Sequence, residues 1–296
     1  MKSPLQAARI VVEVILVVFV VVLIVVVIDR GNSEVTRSVQ LATAKAELEA
    51  AQKTVEELTE KIERSEKLLD KAAKGTLWAY EGRFGPNFWS SAFPTCGNGK
   101  MQAPLDIKGP FAKAKAKLKA DYKVGTLRIV NNGHTIQVNV QPGSFLYVDS
   151  QPYELVQFHF HRPSEELLDG KPTDMNIHLV HKGKDGKLVV LGILLQAVAA
   201  DNPVIASIWN HMPSEEGPEV VVNATTIDPS KLLPASMSYY SYEGSLTTPP
   251  CSEGVTFYIL KMRVNISTDQ IAGFPFSHSN ARPVQPLNGR TIFASD

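Results

Sequence analysis

The chain has 296 residues, 30 basic and 30 acidic side chains among them, and a formal net charge of zero. That balance excludes the basic footprint of a nucleic-acid-binding protein. The length accommodates one domain of ordinary to large size together with accessory segments.

After a short N-terminus at 1–9, residues 10–28 are apolar except for Glu13. A helix of that length, at about 1.5 Å per residue, approaches the ~30 Å hydrocarbon core of a bilayer, so the stretch reads as a transmembrane anchor. A cleaved signal peptide is the competing reading; no small-x-small cleavage site follows, and Asp29-Arg30 comes straight after the apolar run. Glu13 stands four residues after Arg9, which suits an interfacial ion pair. Lys2 and Arg9 on one side are matched by Arg30 and Arg37 on the other, so charge does not set the orientation.

Residues 31–75 contain no proline, and Leu41, Ala44, Leu48, Ala51, Val55, Leu58, Ile62, Ser65, Leu69 and Ala72 alternate spacings of three and four. This heptad seam predicts a helical stalk that self-associates through 41–72 as a parallel coiled coil. The small residues at the second seam position leave room for the alternative, a solvated single helix acting as a spacer. Either form gives about 48 Å of helix, ended at Gly75.

A globular domain is expected over 76–296, opening on Trp78, Tyr80, Phe84, Phe88, Trp89 and Phe93. Its predicted strands are 126–130, 135–140, 144–148, 153–161, 176–181, 188–196, 238–242 and 255–264; its helices, 202–209, 229–233 and 268–272, are few and short. The fold class is mainly β, a central twisted and largely antiparallel sheet with short peripheral helices. Lys113 to Lys119 alternates Lys with Ala or Leu and reads as solvated surface.

Alternation along Tyr153 to His161 puts Gln157, His159 and His161 on one face and Phe158 and Phe160 on the other. Pro163 to Asp174 breaks the pattern, and a second strand beginning near Asn176 brings His178 to the same face if the two strands pair. Three neutral imidazoles on stiff strands suit tetrahedral zinc, with the fourth position left to water. A His-x-His pair alone is more often incidental strand filling. The third in-register histidine and a distant partner motif, Gly244-Ser-Leu-Thr-Thr-Pro-Pro250, argue against that.

Together with Trp78-Ala-Tyr80, Asn131-Asn-Gly-His134, Gln157-Phe-His-Phe-His161, His178-Leu-Val-His181, Leu191-Gly-Ile193, Tyr242 to Pro250 and Asn280-Ala-Arg-Pro283, these residues resemble the α-class carbonic anhydrase family, from about Trp78 to Arg290. The resemblance implies a zinc lyase that hydrates carbon dioxide reversibly to bicarbonate and is inhibited by sulfonamides and anions. It implies zinc on His159, His161 and His178, with Gln157 among the residues behind the ligands. It makes Thr247 the hydroxyl that orients the attacking oxygen and Glu165 the carboxylate that takes the threonine's proton. Val180, Val190, Leu246 and Val255, with Thr248, match the substrate pocket, and His134 matches the proton shuttle; Tyr80, Asn132 and Gln137 match polar positions that order water. Ordinary strand core is the competing reading for the apolar residues, and a turn residue for Thr247 and His134.

The resemblance also pairs Cys96 with Cys251 as the disulfide of exported members, against the alternative of two buried thiols. An oxidising compartment places the domain on the periplasmic side of a bacterial inner membrane, with 1–9 in the cytoplasm. The family usually has Glu at the position of Asn176 and His at that of Glu166. The pair here predicts a chain from His178 to the Asn176 oxygen and from the Asn176 amide to Glu166. Phe257, where Trp is common, and Arg162 are further departures. The alternative function is an attenuated or inactive binding module on an oligomerising stalk.

Overall fold

The proline-free heptad stretch folds as one helix, α1 (Glu34–Ala73), 40 residues and about 60 Å long at 1.5 Å per residue. Thr43, Thr54, Thr59 and Ser65 bond back to the carbonyl four residues earlier, which keeps polar side chains compatible with an uninterrupted helix. Val39, Leu41, Leu58 and Ile62 lie exposed along it. The structure, a computed structural model, describes residues 34–73, 77–276 and 278–296. The expected anchor at 10–28, the N-terminus at 1–9 and the helix stop at Gly75 lie outside the described residues. Among the described residues no helix is long and apolar enough to cross a membrane.

Contacts divide the chain between Leu77 and Trp78. The second unit is built on a sheet whose principal strands are β1 (Gly125–Asn131), β2 (Ile136–Asn139), β3 (Gln151–His161), β4 (Met175–Gly183), β5 (Leu188–Val198), β6 (Val220–Ile227), β7 (Tyr239–Ser245) and β8 (Glu253–Leu260). Their order is β6-β1-β2-β3-β4-β5-β8-β7. Every pair along this path is antiparallel except β5 with β8, so the sheet is largely antiparallel as expected. Short helices at Pro203–Trp209 and Thr268–Ala272 flank it, the first capped by the Asn202 side chain and the second by a Ser267/Gln270 capping box.

One face buries Leu127, Ile129, Ile136, Val138, Phe158, Phe160, Ile177, Leu179, Leu191 and Ile193 in the larger core. The other carries Val190, Leu194, Tyr242, Val255, Phe257 and Ile259 in a smaller one. Central strands β4 and β5 are covered on both faces, which is why β5 runs almost continuously apolar, while β4 buries Asn176, His178 and His181 with hydrogen-bond partners.

Three local differences from the expected elements have physical causes. The run expected as one strand from Val255 to Val264 ends at Leu260 and resumes at Val264–Ser267, with the polar Lys261 and Arg263 in the bend. Strand β6, half polar and mostly exposed at the sheet edge, carries no clean alternation to read. The Lys-rich stretch is surface on one side only: Ala114, Ala116, Leu118 and Ala120 pack on the larger core, and Leu118–Asp121 pairs with Phe145–Val148.

Strand β3 departs from simple alternation. Leu155 is buried in the larger core, Val156 is exposed, and Phe158 and Phe160 are then buried in the same core. The pairing with β4 jumps there, Val180 opposite Gln157 but His181 opposite Leu155, which makes Val156 the extra residue of a β-bulge. Beyond it Gln157, His159 and His161 share the opposite face, as the alternation predicts for that half of the strand.

Candidate metal centre

The three histidines converge. Pairing of β3 and β4 sets His178 directly opposite His159 and Asn176 opposite His161. Ring centroids are 4.9 Å apart for His159 and His161, 4.9 Å for His161 and His178, and 5.7 Å for His159 and His178. One nitrogen of each can be chosen so that all three lie within 4.8 Å of one another. Gly192 faces His178 across β4 and β5, and a Cβ there would meet Ile259 Cδ1 at 2.4 Å, so the absent side chain is what lets β8 pack close behind the site.

The outward nitrogens fix which inward ones are free. His159 Nδ1 lies 2.8 Å from Gln157 Oε1, and His161 Nδ1 lies 2.8 Å from the Asn280 carbonyl. His178 Nε2 lies 3.1 and 3.2 Å from the two Glu166 oxygens and 2.8 Å from the Asn176 amide nitrogen. An N–H on each outward nitrogen donates to its acceptor, which leaves lone pairs on His159 Nε2, His161 Nε2 and His178 Nδ1. Burial, and next the His178 charge, lowers His159 to about 3. Burial, then His178 and His159, hold His161 well below its ordinary value. Burial also presses on His178, but the charge and hydrogen bond of Glu166, and then Glu165, outweigh it and leave that group raised.

These residues fit a metal ion. His161 Nε2 and Glu165 Oε2 are buried side-chain atoms with no hydrogen-bond partner, 3.3 Å apart at the centre of the cluster. Glu165 Oε2 is also 3.7 Å from His178 Nδ1. Orphaned polar atoms in so buried a place are costly unless a cation or its water completes them.

The expected chain through Asn176 is half right. The Asn176 amide donates to Glu166 Oε2 at 2.9 Å. The Asn176 oxygen, however, takes the Glu165 N–H at 3.4 Å; the Asn176 nitrogen is the atom that lies 2.8 Å from His178 Nε2, and His178 also reaches the Glu166 carboxylate directly. The physical reason is that Glu166, fully buried, is turned inward beside the amide, and a carboxylate is the stronger acceptor for an imidazole N–H. Glu166 also accepts from the Tyr242 hydroxyl at 3.3 Å, and Phe257 lies flat on the Tyr242 ring at 4.9 Å.

Glu165 Oε1 accepts the Arg282 N–H at 2.9 Å. Burial lifts this carboxyl to about 7, opposed by His178, the Arg282 N–H and the Thr247 hydroxyl, and abetted by Glu166. Thr247 is buried in the turn between β7 and β8, which closes with Leu246 N to Ser252 O and Cys251 N to Thr248 O bonds. Cys251 is disulfide-bonded to Cys96, tying this turn to the start of the domain. Val190 and Val255 are buried, with Val180 and Leu246 packed against the same cluster, so the four predicted pocket residues lie together. Thr248 is half-buried beside them.

His134 lies in a turn whose N–H groups at His134 and Thr135 both bond to Asn132 Oδ1. Its ring stacks on Trp78 at 3.6 Å and 9°, and the Tyr80 ring stands 6.5 Å away. Asn280 joins this turn to the metal cluster: its amide donates to the His134 carbonyl while its own carbonyl receives His161 Nδ1. Gln137 pairs across from His159, and its amide donates to Asn139. Sequence reasoning assigned no role to Asn280, Arg282, Tyr242 or Trp78, although all four fall within the motifs quoted above.

Fold and site together define a sheet protein organised around a three-histidine cluster able to hold a metal beside an apolar pocket. The eukaryotic-type carbonic anhydrase family matches residues 84–296. A carbonic anhydrase of Nostoc is 43% identical over 229 residues, 74% of this chain and 86% of that protein; one of Pectobacterium carotovorum is 43% identical over 226 residues, 75% and 92%. The solved α-carbonic anhydrase of Thermovibrio ammonificans in complex with sulfanilamide superposes with a TM-score of 0.70 at 40% identity, covering 73% of this chain and 98% of that one. The chain belongs to the carbonic anhydrase family.

Proposed function

We propose that the chain is a zinc-dependent carbonic anhydrase that interconverts carbon dioxide with bicarbonate and a proton, anchored by residues 10–28 with its domain on the periplasmic side of a bacterial inner membrane. The observation that carries the reading is the convergence of three imidazole nitrogens, each backed by an acceptor on the other side of its ring. His159, His161 and His178 would hold the metal. A bound zinc ion supplies the Lewis acidity that makes water nucleophilic near neutral pH, carbonic anhydrase being itself the reference case for that effect.

The remaining work falls to this chain's own groups. Gln157, the Asn280 carbonyl and Glu166 keep the three rings in the ligating tautomer. An ionised Glu165 can only accept, so it draws the Thr247 proton and turns the threonine lone pair toward the reacting water. Val180, Val190, Leu246 and Val255 offer an apolar wall to a substrate without a dipole and keep competing water away. His134, held by Trp78 and the Asn132 turn, carries the released proton outward, imidazole being the side chain that both takes and gives a proton near neutral pH.

Exposed Leu41, Leu58 and Ile62 on α1 support self-association of the stalk through 41–72 with a second copy. The alternative, an attenuated binding module, rests on Asn176. A neighbour of the same fold, dioscorin, was solved with ascorbate at 28% identity.

The full chain in detergent should hold one zinc per protomer, hydrate carbon dioxide in stopped flow and be stopped by a sulfonamide such as sulfanilamide. Zinc without hydration would favour the binding module; neither zinc nor hydration would overturn the enzyme reading.

A further inference from the structure

The turn that carries His134 has a neighbour the reaction has not yet used. Gly133 has a positive φ of 82°, and a Cβ built there would lie 2.6 Å from Glu216 Oε2, 2.8 Å from Cδ and 3.3 Å from Cγ. The carboxylate of Glu216 therefore rests on the Gly133 backbone, in space that only glycine leaves open.

The contact is built from both sides. Gly217 N–H donates to the Asn131 carbonyl at 3.0 Å, and the Asn131 amide donates to the Pro213 carbonyl at 3.2 Å. Within the turn, Gly133 N–H donates to Asn131 Oδ1 at 3.0 Å. Residues 213–217 are thus stitched onto the Asn131–His134 turn, with the Glu216 acid group exposed to solvent at its outer side.

A proton leaving the site reaches His134, makes the ring a cation, and must then pass to a base in solution. The ring has Trp78 against one face and the half-buried Tyr80 nearby. Burial, and next Glu165, raise the Tyr80 hydroxyl well above its ordinary value, so it stays neutral and offers no countercharge. An anionic carboxylate against Gly133, one residue from His134 in the chain, favours the charged ring.

We infer that Glu216 is a positioning residue for proton export, acting through His134 by holding its turn and placing a negative charge at the outer side of it. The inference rests on the reading of His134 as proton shuttle.

The test uses the zinc-loaded full chain and four variants: Glu216→Gln, which keeps the shape and removes the charge, Glu216→Asp, which keeps the charge, His134→Ala, and Glu216→Gln with His134→Ala together. In dilute buffer Glu216→Gln should lower kcat about 1.5- to 5-fold, the range spanned by an exposed charge interaction, with kcat/KM unchanged. Rising imidazole buffer should erase the defect, Glu216→Asp should restore most of kcat, and the double variant should match His134→Ala. A second readout needs no metal: in nuclear magnetic resonance titrations of the metal-free chain, the His134 ring should titrate at lower pH in Glu216→Gln than in wild type.

A fall in kcat/KM, additive losses in the double variant, or an unmoved His134 titration would overturn the role of Glu216 while leaving the shuttle intact. A His134→Ala variant with no buffer-dependent loss would instead overturn the shuttle reading, and this inference with it.

Discussion

Replacing Asn176 by Glu, the residue most relatives carry there according to the resemblance, should destabilise this chain. The Asn176 amide nitrogen is 2.9 Å from Glu166 Oε2, and a carboxylate oxygen in its place would turn a hydrogen bond into a buried like-charge contact. At an effective dielectric of about 20, two unit charges that close repel by about 6 kcal/mol. Protonation caps the penalty: holding a proton at pH 7.5 on a carboxyl with an ordinary pKa near 4.3 costs about 4 kcal/mol, and about 1.4 kcal/mol less for each unit the pH falls. The folded variant then binds a proton that its unfolded chain does not, so its deficit relative to wild type shrinks as the solution is acidified. Denaturant unfolding with a chelator present should show a loss of about 3 to 4 kcal/mol at pH 7.5 and about 1 to 2 at pH 5.5. Adding Glu166→His should recover most of it. An Asn176→Glu variant as stable as wild type at pH 7.5, or a deficit that grows in acid, would refute the reasoning.

Other outcomes follow from the same geometry. Glu166→Gln removes the charged acceptor behind His178 and should weaken zinc binding about 10- to 100-fold in a competition assay with a chelating dye. His181 is buried at the back of β4, its Nε2 2.8 Å from the Tyr122 hydroxyl and its Nδ1 3.3 Å from the Val189 carbonyl, and burial lowers it to about 4. An unfolded histidine protonates near 6.5 and this one does not, so stability present above that pH is lost on acidification toward 4, by about 3 kcal/mol. His181→Gln keeps an acceptor for Tyr122, and its unfolding midpoint should fall less steeply over that interval. Converting Cys96 and Cys251 to Ser opens a crosslink spanning 155 residues and should cost about 2 to 5 kcal/mol by chemical denaturation.

The histidine cluster was legible because alternation in a strand is a strong geometric rule, and because β3 and β4 are long enough to express it. Partners contributed by main chain were not: the Asn280 carbonyl behind His161 and the Arg282 N–H on Glu165 leave no side-chain signature. The Asn176 and Glu166 exchange could be read as a pair, but which atom faced His178 depended on how the irregular segment after His161 turned, and that is settled by packing. Edge strand β6 lacked the apolar partner face that would have marked it, and the bulge at Val156 hid because Leu155 and Val156 are both apolar.

That bulge gives β3 two counting frames. Upstream of Val156 the odd-numbered residues supply the core; downstream the even-numbered ones do. The identity of the residue at 156 matters little, since its side chain is in solvent; what keeps the following residues on their faces is that the pairing with β4 steps over it. Losing that single residue would merge the two frames into one regular alternation, with Leu155, Phe158 and Phe160 still inward and Gln157, His159 and His161 still on the metal face; drawing Val156 into the ladder instead would send His159 and His161 into hydrocarbon and Phe158 and Phe160 into the metal cavity. The catalytic layout of this domain is therefore indifferent to which residue stands at 156 and depends on the pairing stepping over it.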